Sequence, residues 1–112
     1  MVKKYIPKQG DIVIISFDPT SGHEQKESRP AIVISATEYN IHSGMILVCP
    51  ITSKGKGYVF EVPYNGKKIS GFILVDQIRS MDYFARKIVF VEKSSKENLE
   101  QIRLLMTSLL QE

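Results

Sequence analysis

The connection from Phe17 to Pro30 reads Phe-Asp-Pro-Thr-Ser-Gly-His-Glu-Gln-Lys-Glu-Ser-Arg-Pro and carries more polar groups than a turn requires. Asp18-Pro19 with Gly22 supplies turn chemistry: proline fixes φ, aspartate bonds the backbone two residues on, and glycine accepts positive φ. His23, Glu24 and Arg29 add an imidazole, a carboxylate and a permanent cation within reach of one ligand. Read blandly, they make a solvated hairpin loop with a surface ion pair. Thr52 and Gln77 also stand at the ends of segments with strand character, and strand ends can converge on one rim of a small barrel. Such a set suits RNA cleavage by the neighbouring 2′-hydroxyl. The hydroxyl proton must be taken, the charge growing on the phosphate oxygens spread, and the departing 5′ oxygen protonated. A carboxylate such as Glu24 fits the first task. The guanidinium of Arg29 forks onto two phosphate oxygens as an ammonium cannot, and Thr52 can donate its hydroxyl to the phosphate or orient the scissile group. This chemistry requires no metal.

The elements that must hold these groups are short. Ile12 to Phe17, Ala31 to Ser35 and Met45 to Pro50 are aliphatic, largely β-branched runs of strand length. Pro30 stands at the start of the second run, where a missing N–H is tolerated, and Pro50 is expected to bend or end the third just before Ile51-Thr52-Ser53. Ala36 to Ser43 holds one helical turn, closed by Gly44. Lys54-Gly55-Lys56-Gly57 is either a solvated turn or a basic loop whose glycines let the backbone approach an anion. Tyr58 to Val62 alternates as a half-exposed strand does, and Asn65-Gly66 marks a hairpin before Gly71 to Val75. Ile78 to Met81 and Lys87 to Val91 follow as further strand candidates. Ser94 with Glu97 forms a capping box, and Leu99, Ile102, Leu105, Met106 and Leu109 recur at helical spacing, an apolar stripe for core or dimer packing. Five to seven short strands, one terminal helix and no βαβ alternation predict a mainly β (α+β) fold. It is a small, strongly bent β-barrel with a C-terminal amphipathic helix packed on it, in one domain over residues 1–112.

Bulk properties narrow the function. Hydrophobic residues at 43% and charged residues at 24% describe an ordinary globular chain and exclude disorder. A single cysteine, Cys49, excludes an intramolecular disulfide and a Cys-rich metal site, which fits a reducing compartment. Apolar runs such as Ile12 to Ile15 are far short of a membrane span, and Lys3-Lys4 lacks the apolar stretch of a signal peptide, so a cytoplasmic location without membrane attachment is expected. Net charge is +3, and the excess sits mid-chain: residues 52–87 hold seven cations against three acids. A phosphate backbone can be tracked there. His23-Glu24 opens like a zinc-protease helix motif, but position 27 is Glu, and His42 has no companion at ligand spacing. Cys49 lies in an apolar run with no cation near it and reads as a core residue. No glycine-rich nucleotide loop is present, so neither metal nor cofactor is expected.

Further segments carry a resemblance. Gly10-Asp11, Phe17-Asp18-Pro19-Thr20 with Gly22 and Glu24-Gln25, Arg29-Pro30-Ala31, Tyr39-Asn40, Gly44-Met45, Cys49-Pro50 with Thr52, Lys56-Gly57-Tyr58 with Phe60-Glu61-Val62, Asp76-Gln77 and Ala85-Arg86 run in order along the first three-quarters of the chain. Together they resemble the MazF/PemK/Kid group of toxin endoribonucleases, the mRNA interferases, most closely the MazF branch. The resemblance implies an SH3-like barrel that forms a homodimer and binds single-stranded RNA along the dimer groove. It implies cutting at a short motif without metal, leaving a 2′,3′-cyclic phosphate and a 5′-hydroxyl. It also implies a MazE-like antitoxin whose disordered tail folds across the groove. Arg29 and Thr52 match catalytic positions and Glu24 a contributing one, and RNA contacts are expected at Phe17, Thr20, His23, Ser53, Lys54, Lys56, Tyr58, Asp76, Gln77 and Arg86. The Kid branch assigns roles to positions matching His23, Asp76 and an arginine where this chain has Leu74, so that assignment does not carry over intact. Two rivals remain at this level. A non-enzymatic CcdB-like toxin poisons gyrase through a C-terminal Trp-Gly-Ile ending, whereas this chain has no tryptophan and ends Leu109-Leu110-Gln111-Glu112. A non-catalytic RNA-binding SH3-like module would use Arg29 only to hold phosphate.

Overall fold

The run Asp11–Ser16 forms β1, whose side chains alternate between the two faces of one curled sheet. The computed structural model describes residues 5–17 and 28–112. It continues with β2 (Ser28–Val33), α1 (Thr37–Ser43), β3 (Met45–Thr52), β4 (Glu61–Asn65), β5 (Ser70–Leu74), β6 (Arg79–Asp82), β7 (Ile88–Lys93) and α2 (Lys96–Leu110). Every strand pairing is antiparallel, in the order β4-β5-β3-β2-β1-β7, with β6 also lying beside β3. Ile12, Ile32, Cys49 and Ile51 face one side, with Val62, Tyr64, Ile73 and Ile102 of α2. Val13, Ile15, Ala31, Val33, Ile46 and Val48 face the other, with Met81 and Tyr83. Burial of both faces is why these strands read as continuous aliphatic runs and not as an apolar–polar alternation.

The strands and terminal helix match the expected small, strongly bent barrel, whose sheet curls into a half-barrel. Its two ends, β4 and β7, do not pair, and side chains close the gap. The Glu92 carboxylate of β7 accepts the Tyr64 hydroxyl at 2.6 Å and the Lys68 amide at 2.9 Å, while Asn98 of α2 donates to the Pro63 carbonyl at 3.2 Å. Burial alone raises the Glu92 pKa, but bonds from Tyr64 and the backbone amides of Lys68, Ile69 and Lys67 outweigh it and hold the carboxyl below its ordinary value. On the opposite side Asn40 acts as a polar hub. It accepts the Ser35 hydroxyl at 2.5 Å, donates to the Pro7 carbonyl at 2.9 Å, and offers its own carbonyl to the Tyr83 hydroxyl at 2.7 Å. Gly44 ends α1 at φ 73°, a left-handed conformation that suits glycine.

Four local expectations are corrected. β2 begins at Ser28, so Arg29 and Pro30 lie on a strand opposite Ile15 and Ile14 and not on a loop before it. Pro50 does not end β3. The strand continues to Thr52 because its partner changes there, from β2 at Ala31↔Pro50 to β5 at Ile51↔Ile73 and Thr52↔Phe72. Tyr58 to Phe60 precede β4 as a turn, with the Glu61 amide bonded to the Tyr58 carbonyl at 3.1 Å. The cap of α2 is Ser95, which accepts the Asn98 amide at 3.1 Å, since the Ser94 amide is still bonded to the Gly10 carbonyl at 2.9 Å. No helix of the described residues is long and apolar enough to cross a membrane.

Candidate active site

Arg29 enters from the second residue of β2 and Thr52 from the last residue of β3. The β2–β3 register pairs Ala31 with Pro50, and carried two residues further it sets Arg29 across from Thr52. Both line a cleft of about 600 Å³, together with Lys54, Lys56, Tyr58, Asp76 and Gln77. Residues far apart in the chain thus meet because β2 begins where β3 ends, with β5 running close beside that end. Gly71 allows that closeness: a Cβ there would collide with the Thr52 carbonyl.

Each wall of the cleft is held by a named contact. The Tyr58 hydroxyl donates to Asp76 Oδ2 at 3.0 Å. That bond and the Asp76 charge, with a smaller effect of burial, raise the phenol pKa and keep it protonated at neutral pH. The loop before it turns at Gly57, at φ 75°, and is anchored where the Lys56 amide donates to both Glu61 oxygens at 3.0 and 3.1 Å. The Lys54 amide donates to Thr52 Oγ1 at 3.3 Å, leaving the hydroxyl hydrogen of Thr52 available. The guanidinium carbon of Arg29 lies 5.4 Å from the Phe17 ring centre, and no ion pair neutralises it among the described residues.

Ser53 is exposed beside the cleft without lining it. Arg86 lies elsewhere: its Nη1 donates to the Ser16 carbonyl at 2.8 Å, and it lines a separate cavity with Tyr5, Tyr83, Lys87 and Ile88. Glu24, Thr20 and His23 fall outside the described residues. Leu74, an apolar residue, also lines the cleft. His42 is exposed and 3.1 Å from Glu38. Cys49 is fully buried, and burial followed by the Asp76 charge pushes its thiol up to about 12, so it stays an inert core thiol. Among the described residues no three His, Cys, Asp or Glu side chains cluster to hold a metal ion.

Two residues with site contacts were missed by the sequence reading. Glu61 buttresses the lysine loop, and Arg79 brings a second guanidinium to within 5.3 Å of the Phe17 ring centre while its Nη2 donates to the Phe17 carbonyl at 3.4 Å. Glu61 stands in a segment that carries the resemblance but has no role assigned there, and Arg79 stands in none of those segments. Arg79 depends on pairing between distant strands, Val48↔Arg79, whereas Glu61 makes its contact within the turn that runs from Lys56 into β4.

Comparison with known proteins places this geometry. A family model described as PemK-like, MazF-like toxin of type II toxin-antitoxin system matches residues 8–110. The chain is 39% identical over 110 residues to the Endoribonuclease toxin MazF of Escherichia coli (strain K12), covering 98% of this chain and 99% of that one. Its fold matches the crystal structure of MazF (Form-I) from Deinococcus radiodurans with TM-score 0.84 and 38% identity, over 96% of this chain and 98% of that one. It also matches a MazE-MazF (Form-II) crystal structure from the same organism with TM-score 0.82 and 34% identity, over 96% and 97% of the two chains. The chain belongs to the PemK-like, MazF-like toxins of type II toxin-antitoxin systems.

Proposed function

We propose that this toxin is a sequence-specific endoribonuclease that cuts single-stranded mRNA without a metal, with Arg29 and Thr52 acting on one phosphate. The meeting of those two side chains in a cleft flanked by Lys54 and Lys56 carries this reading. The 2′-oxygen attacks the adjacent phosphorus, the P–O5′ bond breaks, and the products are a 2′,3′-cyclic phosphate and a 5′-hydroxyl. Arg29 spreads the charge that builds on the non-bridging oxygens, where a planar fork held by a strand needs little reorganisation. Thr52 donates its hydroxyl to the same phosphate. Glu24 is the proposed base for the 2′-hydroxyl proton, by its resemblance to the family position.

A homodimer is the proposed working form, with a MazE-like antitoxin as partner, the latter in line with the MazE-MazF complex of Deinococcus radiodurans. The cytoplasm, where mRNA is found, is the proposed compartment. Incubating the purified protein with a long RNA in excess EDTA tests the activity. Discrete cleavage at one recurring motif is expected; binding without turnover favours the non-catalytic module instead.

A further inference from the structure

Arg86 stands outside the cleft, yet its guanidinium reaches the strand end that seats Arg29. Its Nη1 donates to the Ser16 carbonyl at 2.8 Å, between residues 70 positions apart. Ser16 is the last residue of β1, opposite Ser28 and next to the pair Ile15↔Arg29. On the other side of β1 its neighbour β7 stops short, since their last pair is Ile15↔Ile88. Strand pairing on that side thus runs out just where β1 passes into Phe17, and a charged side-chain donor takes over from the backbone. Phe17 follows at once, its ring centre 5.4 Å from the Arg29 guanidinium carbon. As a device for stability alone, the arrangement is poor. The Arg86 Nε is buried without a hydrogen-bond partner, and a buried N–H left unpaired costs about as much as a good hydrogen bond returns. An apolar side chain beside Tyr83 and Ile88 would carry no such cost.

We propose that Arg86 is a positioning residue for RNA cleavage: by holding the Ser16 carbonyl it fixes the end of β1, and with it the Phe17 ring on which the Arg29 guanidinium is seated. The inference rests on the endoribonuclease reading and adds to it a residue that touches neither the RNA nor the reacting atoms. A small displacement of Arg29 is enough to matter, because transition-state stabilisation depends on where the fork sits and not only on its charge. Arg79 serves as the contrast. It is exposed, and its own contact, with the Phe17 carbonyl, is long at 3.4 Å, so its charge faces an incoming anion. The roles separate by substitution. Arg86→Met keeps an unbranched stem and removes the donor, while Arg86→Lys keeps a donor on a long stem.

The test is to measure kcat and KM across a salt titration on an RNA oligonucleotide that the native protein cuts, for the native protein, both Arg86 variants, Arg79→Ala, Phe17→Leu and the double variant Arg86→Met with Phe17→Leu. Thermal unfolding is followed on the same samples. Arg86→Met is expected to lower kcat roughly 10- to 100-fold with KM little changed. Its slope of log KM against log salt stays native, whereas Arg79→Ala lowers that slope by about one. Arg86→Lys recovers most of kcat. Because Arg86 acts through Phe17, the double variant falls within roughly threefold of the slower single variant, and the two losses do not multiply. A salt slope lowered by about one in Arg86→Met would make Arg86 a phosphate contact, and multiplied losses would show that it works by another route; either result overturns the proposal. A native kcat in Arg86→Met, or a variant too unstable to stay folded at the assay temperature, does the same, and in each of these cases the endoribonuclease reading stands. RNA left intact by the native protein removes both readings.

Discussion

The Arg29 guanidinium rests 5.4 Å from the centre of the Phe17 ring, at the point where β1 ends and β2 begins. Phe17 is buried, so it is a fixed surface for the one side chain assigned to spread the phosphate charge. Phe17→Leu keeps an apolar residue there and costs about 1 kcal/mol of stability. With the guanidinium no longer seated, kcat falls roughly tenfold to a hundredfold while KM changes little. Single-turnover cleavage alongside thermal unfolding separates the two effects, and equal losses in both would make Phe17 a core residue only.

Arg79 shares that ring at 5.3 Å and is exposed. Two guanidiniums on one ring repel each other until anions neutralise them, which an RNA backbone does. Arg79→Ala therefore raises KM and lowers the slope of log KM against log salt by about one, leaving kcat near native. A salt titration of KM measures this directly.

Arg29→Ala removes the forked contact itself. Because Arg29 makes no ion pair among the described residues, its truncation leaves no buried charge behind. The fold is expected to survive with a melting temperature close to native, while cleavage drops at least about a hundredfold. Arg29→Lys restores the charge without the fork and recovers little of the rate. Full recovery would show that charge alone suffices.

Glu92 makes the open side of the barrel sensitive to acid. Its folded pKa lies below its ordinary value of 4.5, so its contribution is fully present above that value and is lost as pH falls through the lower, folded pKa. Glu92→Gln cannot gain this contribution with rising pH. The melting temperature of the native protein is expected to fall more between pH 6 and pH 3 than that of the variant. Equal acid sensitivity would show that the hairpin tip is held by other contacts.

The cap of α2 gives a sharper comparison. Ser95→Ala costs about 1 kcal/mol, since it removes the acceptor for the Asn98 amide. The sequence pattern favours Ser94 because Glu97 follows at capping-box spacing. The backbone decides otherwise: the Ser94 amide still belongs to the Gly10 carbonyl, which no local pattern reveals. The same logic runs through the rest of the fold. β1, β2 and the body of β3 are legible because burial on both faces leaves an aliphatic run. Passage of β3 through Pro50 is not, because it depends on a change of partner strand. In the cleft, Arg29, Thr52 and the lysines are legible by residue type and family resemblance. Arg79 acts through a position fixed only when distant strands pair, and Glu61 through a bond to the Lys56 amide that residue type alone does not announce.

The central claim is that Arg29 and Thr52 promote attack by the RNA's own 2′-hydroxyl. A motif-bearing oligoribonucleotide with a single 2′-deoxy substitution on the 5′ side of the scissile phosphate tests it, compared with the all-ribose strand in excess EDTA. The all-ribose strand is expected to give a 2′,3′-cyclic phosphate end and the substituted strand to remain whole. Cleavage of the substituted strand at the same bond would contradict the account.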